Sequence, residues 1–188
     1  MIRTTRWNLL LVAGLASAHT LAAQTDTSRH AQVLVRAGRL VATRTGTVLT
    51  NQAILIEGDR IKEVGPADAV VGHAARDARV IDLRNATVLP GLIDCHTHIT
   101  SDPGDYYQQL FRMSVIDEAV RAHIYAKRTL DAGFTTVRNV GAAEFIDVAL
   151  RNAINDGVVE GPRMLVSTMP LSATGGHGDV NGMSPYLR

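Results

Sequence analysis

Cysteine is almost missing from this chain. The one thiol, Cys95, leaves no intramolecular disulfide and no cysteine-based zinc knuckle to build. Aromatic residues are scarce at 4%, and the single tryptophan, Trp7, sits near the N-terminus. A surface made to stack bases or sugars would carry more of them. Neither sign of charge dominates: 19 basic residues face 18 acidic ones, the formal charge is +1, and no run of Lys or Arg occurs. That balance speaks against nucleic acid and against an acidic membrane surface as partners. After residue 24 no apolar run approaches the roughly 20 residues that cross a bilayer.

What remains is an ordinary globular composition, 46% hydrophobic and 20% charged over 188 residues. It suffices for one core of good size, or for a small domain and part of a larger one. Residues 1–24 form the exception. Arg3 and Arg6 make a basic start, Leu9 to Ala16 an uncharged apolar stretch, and Ala16-Ser17-Ala18 a small-x-small cleavage pattern, with Ala22-Ala23 as a second place to cut. This pattern predicts a secretory signal peptide, since the apolar run is too short for a membrane anchor. The mature protein is expected to be soluble and exported, periplasmic or secreted, with no membrane partner after cleavage.

Residues 25–89 read as a small β module. Val33 to Val35, Leu40-Val41, Ala53 to Glu57, Arg60 to Val64, Val80 to Leu83 and Thr87 to Leu89 are strand candidates. Thr43 to Gly46 supplies turn residues, and Gly58-Asp59 splits two extended runs as a hairpin does. The polar, alanine-rich connection from Pro66 to Ala78 has room for one helical turn, with His73 facing solvent. No nucleophile or metal site stands out here.

The period changes at the breaker pair Pro90-Gly91. Leu92 to His96 is a strand candidate. Ser114 to Ala132 has helical spacing in Ile116, Val120, Ile124 and Leu130, with Ser114 and Asp117 as an N-cap pair and Gly133 as the stop. Thr135 to Val140 is the next strand. Glu144 to Asp156 is the next helix, its inner face expected at Phe145, Val148, Ala149 and Ala153 and its stop at Gly157. Met164 to Thr168 is a third strand. Strand-helix-strand-helix-strand predicts an α/β fold with parallel βαβ units. A closed (β/α)8 barrel takes about 250 residues, whereas 98 follow Pro90. Residues 90–188 are therefore expected to be the incomplete opening of a longer barrel.

Chemistry concentrates at Asp94-Cys95-His96-Thr97-His98. Side chains alternate along a strand, so His96 and His98 should share a face and could together hold one divalent cation. Asp94 has the same parity and could orient a histidine ring. Cys95 should point the other way, as a small buried filler. A lone His-x-His also occurs on wet surfaces, but this one ends an apolar strand and precedes a βα repeat, where barrel active sites form. A metallo-β-lactamase would need Asp-His soon afterwards, and Ile99 to Pro103 lacks it. A cupin would continue as strands, whereas this chain turns helical.

The stretch Val88-Leu89-Pro90-Gly91-Leu92-Ile93-Asp94-Cys95-His96-Thr97-His98 resembles the first-strand signature of the amidohydrolase superfamily. The preceding module resembles that superfamily's N-terminal β-sandwich half. Gly133 to Gly141, Gly161-Pro162-Arg163-Met164 and Thr174-Gly175-Gly176-His177-Gly178-Asp179 resemble the branch of imidazolonepropionase-like proteins and Xaa-Pro dipeptidases. One departure is Asn139, where the family more often has Asp. The resemblance implies a metal-dependent TIM barrel with one or two divalent ions, usually zinc, and His96 and His98 among the ligands. It implies a metal-activated water that cleaves amide, cyclic amide or dipeptide C–N bonds.

The family's carboxylated lysine, later histidines and general-base aspartate would lie beyond Arg188, so no catalytic residue is expected within this chain. His177 is the candidate substrate contact. His123 is read as a packing or surface residue, Arg138 as an anchor of the strand end, and Asp102 to Asp105 as a loop. The partner is a small-molecule or dipeptide substrate, with homo-oligomer formation left open. The competing class is a truncated, inactive remnant or binding module.

Overall fold

The computed structural model describes residues 31–102, 104, 111–176 and 178. The leader, residues 1–24, and the candidate substrate contact His177 lie outside the described residues.

The N-terminal module is one mixed four-stranded sheet in the order β3-β2-β1-β4. Its strands are β1 (Gln32–Ala42), β2 (Thr47–Glu57), β3 (Arg60–Pro66) and β4 (Arg79–Val88). The first three pair antiparallel, and β4 lies parallel to β1. The Gly58-Asp59 hairpin forms as expected, with Glu57 opposite Arg60. The expected helical turn is α1 (Ala67–Val70), followed by a 3₁₀ turn at Val71–His73. Ala67 and Val70 pack on Leu34, Ala53 and Leu55, and this cluster is the module's core. His73 is exposed, with its Nδ1 2.9 Å from Glu63.

The module has fewer and longer strands than the apolar runs suggest. The runs Val33 to Val35 and Leu40-Val41 are one strand, and so are Val80 to Leu83 and Thr87-Val88. Between the first two lies Gly38, where the register against β4 slips between Ala37 and Arg39. A Cβ at Gly38 would collide with the Arg84 backbone carbonyl. The gap in the apolar pattern therefore marks a close approach of two backbones at an irregular ladder, not a turn.

After Leu89 the chain enters a second, parallel sheet in the order β5-β6-β7. Its elements are β5 (Leu92–Thr97), α2 (Val115–Asp131), β6 (Phe134–Asn139), α3 (Ile146–Asn155) and β7 (Arg163–Val166). This is the βαβαβ opening of the expected α/β barrel. The capping box is present: the Asp117 N–H donates to Ser114 Oγ at 3.2 Å, and the Ser114 N–H to Asp117 Oδ2 at 2.9 Å. Gly133 and Gly157, at φ +95° and +71°, end the two helices as only an unbranched backbone does readily. No helix among the described residues is long and apolar enough to cross a membrane.

The faces that the helices bury differ from expectation. On α2 the buried residues are Ala122 and Ala126, while Ile116, Val120 and Ile124 are 70%, 65% and 42% exposed. Small side chains allow the close approach to the sheet, and the larger apolar stripe points away. On α3, Glu144 and Phe145 have φ of +39° and +64°, which keeps them out of the helix. The helix starts at Ile146, and its inner face is Ile146, Leu150 and Ile154 rather than the Phe145 set. These residues pack with Ile99, Ala122, Ala126, Val137 and Met164 to form the second core.

Candidate functional site

The His-x-His segment closes β5, and the ladder there is irregular. Asp94 pairs with Val137 and Thr97 with Asn139, so three steps along β5 match two along β6. One extra residue is accommodated at Cys95-His96, the device by which a bulge re-aims side chains. Simple alternation fails across it. Asp94 falls in register with the fully buried Val137, and its carboxylate accepts the backbone N–H of His96 at 3.0 Å. Asp94 therefore braces the His96 backbone and does not orient a ring as expected. Cys95 is exposed, not a buried filler, because the extra residue turns it out of the row that the helices cover. Its carbonyl accepts the Arg138 Nε–H at 2.6 Å, which makes Arg138 the strand-end anchor that was anticipated.

His96 and His98 come together in this structure. Their ring centroids are 5.7 Å apart, with the planes at 70°. Two imidazoles bound to one zinc at about 2.1 Å and a tetrahedral angle would have centroids roughly 5 Å apart. The observed spacing is close to that value. His98 Nδ1 lies 3.2 Å from the Gly141 carbonyl oxygen. A carbonyl only accepts, so in this contact Nδ1 is the donor, and a neutral ring so held would present the Nε2 lone pair. A neutral imidazole tied through one nitrogen to a carbonyl is the form in which histidines bind metals. The residues present fit a divalent cation in donor type, spacing and tautomer. Among the described residues no group of three or more His, Cys, Asp or Glu could hold a metal ion. The pair would supply two ligands, where catalytic zinc commonly takes three from protein.

Behind the pair lies a buried polar network that sequence reading did not find. Asn139 is fully buried. Its Oδ1 accepts the Ile99 N–H at 2.9 Å, and its Nδ2 donates to the Gly141 carbonyl at 3.1 Å and to Asp147 Oδ2 at 3.4 Å. Asp147, in the first turn of α3, is also fully buried. Its Oδ2 accepts the Thr168 N–H at 2.9 Å, and its Oδ1 the Val148 N–H at 2.9 Å. Thr168 has φ +64°, strained for a β-branched residue, and is held there by Asp147 and by the Ala142 N–H on its carbonyl. The ends of β5, β6 and β7 are thereby tied to one amide and one carboxylate. The sequence held a faint signal for Asp147, an acid between the apolar Ile146 and Leu150. An acid in a first helical turn is commonly explained by the helix dipole alone. Nothing in the sequence distinguished Gly141 as a partner of His98.

Comparison with known proteins identifies the family and the fold. The amidohydrolase family model matches residues 87–184. The ochratoxinase of Aspergillus niger is 33% identical over 138 residues, which cover 72% of this chain and 28% of that protein. The imidazolonepropionase of Legionella pneumophila (strain Corby) is 39% identical over 69 residues, 36% of this chain and 17% of that one. The crystal structure of a Xaa-Pro dipeptidase with methionine in its active site superposes with a TM-score of 0.72 at 33% identity, covering 83% of this chain and 38% of the other. The chain thus spans well under half the length of each of these relatives. On the strength of the family match, the shared fold and the residues that carry the signature, this chain belongs to the amidohydrolase family.

Proposed function

We propose that this chain supplies the first ligand strand of an exported, metal-dependent hydrolase of amide-type C–N bonds, in which His96 and His98 hold a divalent cation, with zinc the expected ion. The observation that carries the reading is the paired rings, 5.7 Å apart, with His98 Nδ1 engaged by the Gly141 carbonyl. In such a site the cation acidifies water and polarises the scissile carbonyl. The chain's own residues hold the ligands in place. Asp94 and Arg138 fix the bulge that carries His96, and Gly141 fixes the ring of His98.

On this reading residues 1–24 are a cleaved signal and residues 25–89 a β-sandwich half. Residues 90–188 are the first part of the barrel. The substrate class favoured is a dipeptide with C-terminal proline, supported by the likeness to a Xaa-Pro dipeptidase over 83% of the chain. His177, which follows β7 in the sequence, stays a proposed substrate contact. Two histidines alone should bind metal weakly, and the 188-residue chain should hydrolyse nothing by itself.

Zinc titration of the purified chain against a competing chelator dye tests the proposal, with His96→Ala and His98→Ala alongside. Each variant should abolish the weak binding. Unchanged binding in both variants, or turnover of a Xaa-Pro dipeptide by the zinc-loaded chain, would refute it.

A further inference from the structure

We infer that Asn139, held by Asp147, is the positioning residue that sets which nitrogen of the His98 ring carries the proton. The Gly141 carbonyl accepts two hydrogen bonds, from Asn139 Nδ2 at 3.1 Å on its buried side and from His98 Nδ1 at 3.2 Å. A carbonyl oxygen has two lone pairs, so both are in use. The same Asn139 side chain takes the N–H of Ile99, the residue after His98, at 2.9 Å. One amide therefore holds the backbone beside His98 and the acceptor that the His98 ring meets.

The orientation of that amide is not free. Turned over, it would set its NH₂ against the Ile99 N–H and its oxygen against the Gly141 carbonyl. Asp147 enforces the orientation from the far side, since its carboxylate accepts the NH₂ group and cannot tolerate the oxygen. Asp147 itself is fixed by the N–H groups of Val148 and Thr168. This arrangement accounts for an amide at 139. An acid there would keep the acceptor for Ile99, lose the donor to Gly141, and set two carboxylates against each other in a fully buried place. The acid beside the end of β6 is instead Asp147, on α3.

The purpose of this device, a free Nε2 on His98, rests on the metal reading above. Its existence does not, and the experiment separates the two. In the chain labelled with ¹⁵N-histidine, NMR reads the protonation of each ring nitrogen directly. The wild type should show His98 with a protonated Nδ1. In Asn139→Ala, His98 should move to the Nε2–H form that imidazole favours in water.

The exchange variant Asn139→Asp/Asp147→Asn restores a complementary pair but leaves Gly141 without its amide donor. It should recover much of the thermal stability that Asn139→Asp loses, while His98 stays shifted and zinc affinity stays about tenfold down. A merely structural role would restore stability and tautomer together, and that result would overturn the inference. So would a wild-type His98 with its proton on Nε2, a test that needs no variant to fold. A tautomer that follows Asn139 with zinc affinity unmoved would uphold the positioning role and overturn the metal reading alone.

Discussion

Replacing Gly141 with alanine should disturb the site while leaving the backbone where it is. Gly141 is buried, and its φ lies outside the left-handed region, so its backbone accepts an L-residue. The added Cβ would stand 3.1 Å from Pro170 Cβ and 3.2 and 3.3 Å from Cε1 and Nδ1 of His98. Comfortable carbon contacts begin at about 3.5 Å, so each side is short by a few tenths of an ångström. Both Pro170 and His98 are met at once, so the methyl has two short contacts to relieve. The imidazole is the softer partner and should give way.

Overpacking of this kind costs about 1–3 kcal/mol. The displaced ring should lengthen the Nδ1–H···O bond to Gly141 and reduce zinc affinity about tenfold. Thermal denaturation and chelator competition read the two effects separately. Wild-type stability together with wild-type zinc affinity would refute the reasoning, because it would mean that His98 does not rest against Gly141.

Two further outcomes follow from the scaffold. Gly38→Ala drives a methyl into the Arg84 carbonyl, a backbone atom that cannot rotate away. It should cost about 3 kcal/mol in denaturant unfolding, and an unchanged midpoint would show that the β1–β4 approach is looser than described. Ser114→Ala removes the N-cap of α2 and should cost about 1 kcal/mol. The Ser114 hydroxyl and backbone hold the Asp117 carboxyl below its ordinary value. A depressed carboxylate adds stability above its unfolded pKa of about 4, and this stability is lost as pH falls through the folded value. The gap between wild type and Ser114→Ala should therefore narrow below about pH 4 in pH-dependent melting, and a gap that widens there would contradict the capping box.

Much of the site was legible because it is local. His96 and His98 stand two apart at the end of an apolar run, and the rings do come together. Ser114, Asp117, Gly133 and Gly157 act within a turn of their own position, so their roles could be read in place. What was misread depends on remote partners. Asp94 and Cys95 were assigned by parity, and parity failed because β6, some forty residues on, pairs with β5 around an extra residue. The inner faces of α2 and α3 were assigned by size, yet the sheet takes Ala122 and Ala126 where closeness matters more than bulk.

The order of strands and helices, the breaker at Pro90-Gly91, the histidine pair and the family signature follow from the chain alone. Hydrophobic period, turn chemistry and motif spacing are properties of neighbouring residues. Tertiary structure decided where the β5 bulge falls, that Asp94 braces a backbone, and that Gly141 meets His98. It also brought Asn139 and Asp147 together to tie three strand ends. A hydrogen bond between groups eight or forty residues apart exists only once strand register and helix start have placed them, and neither is written in any local pattern.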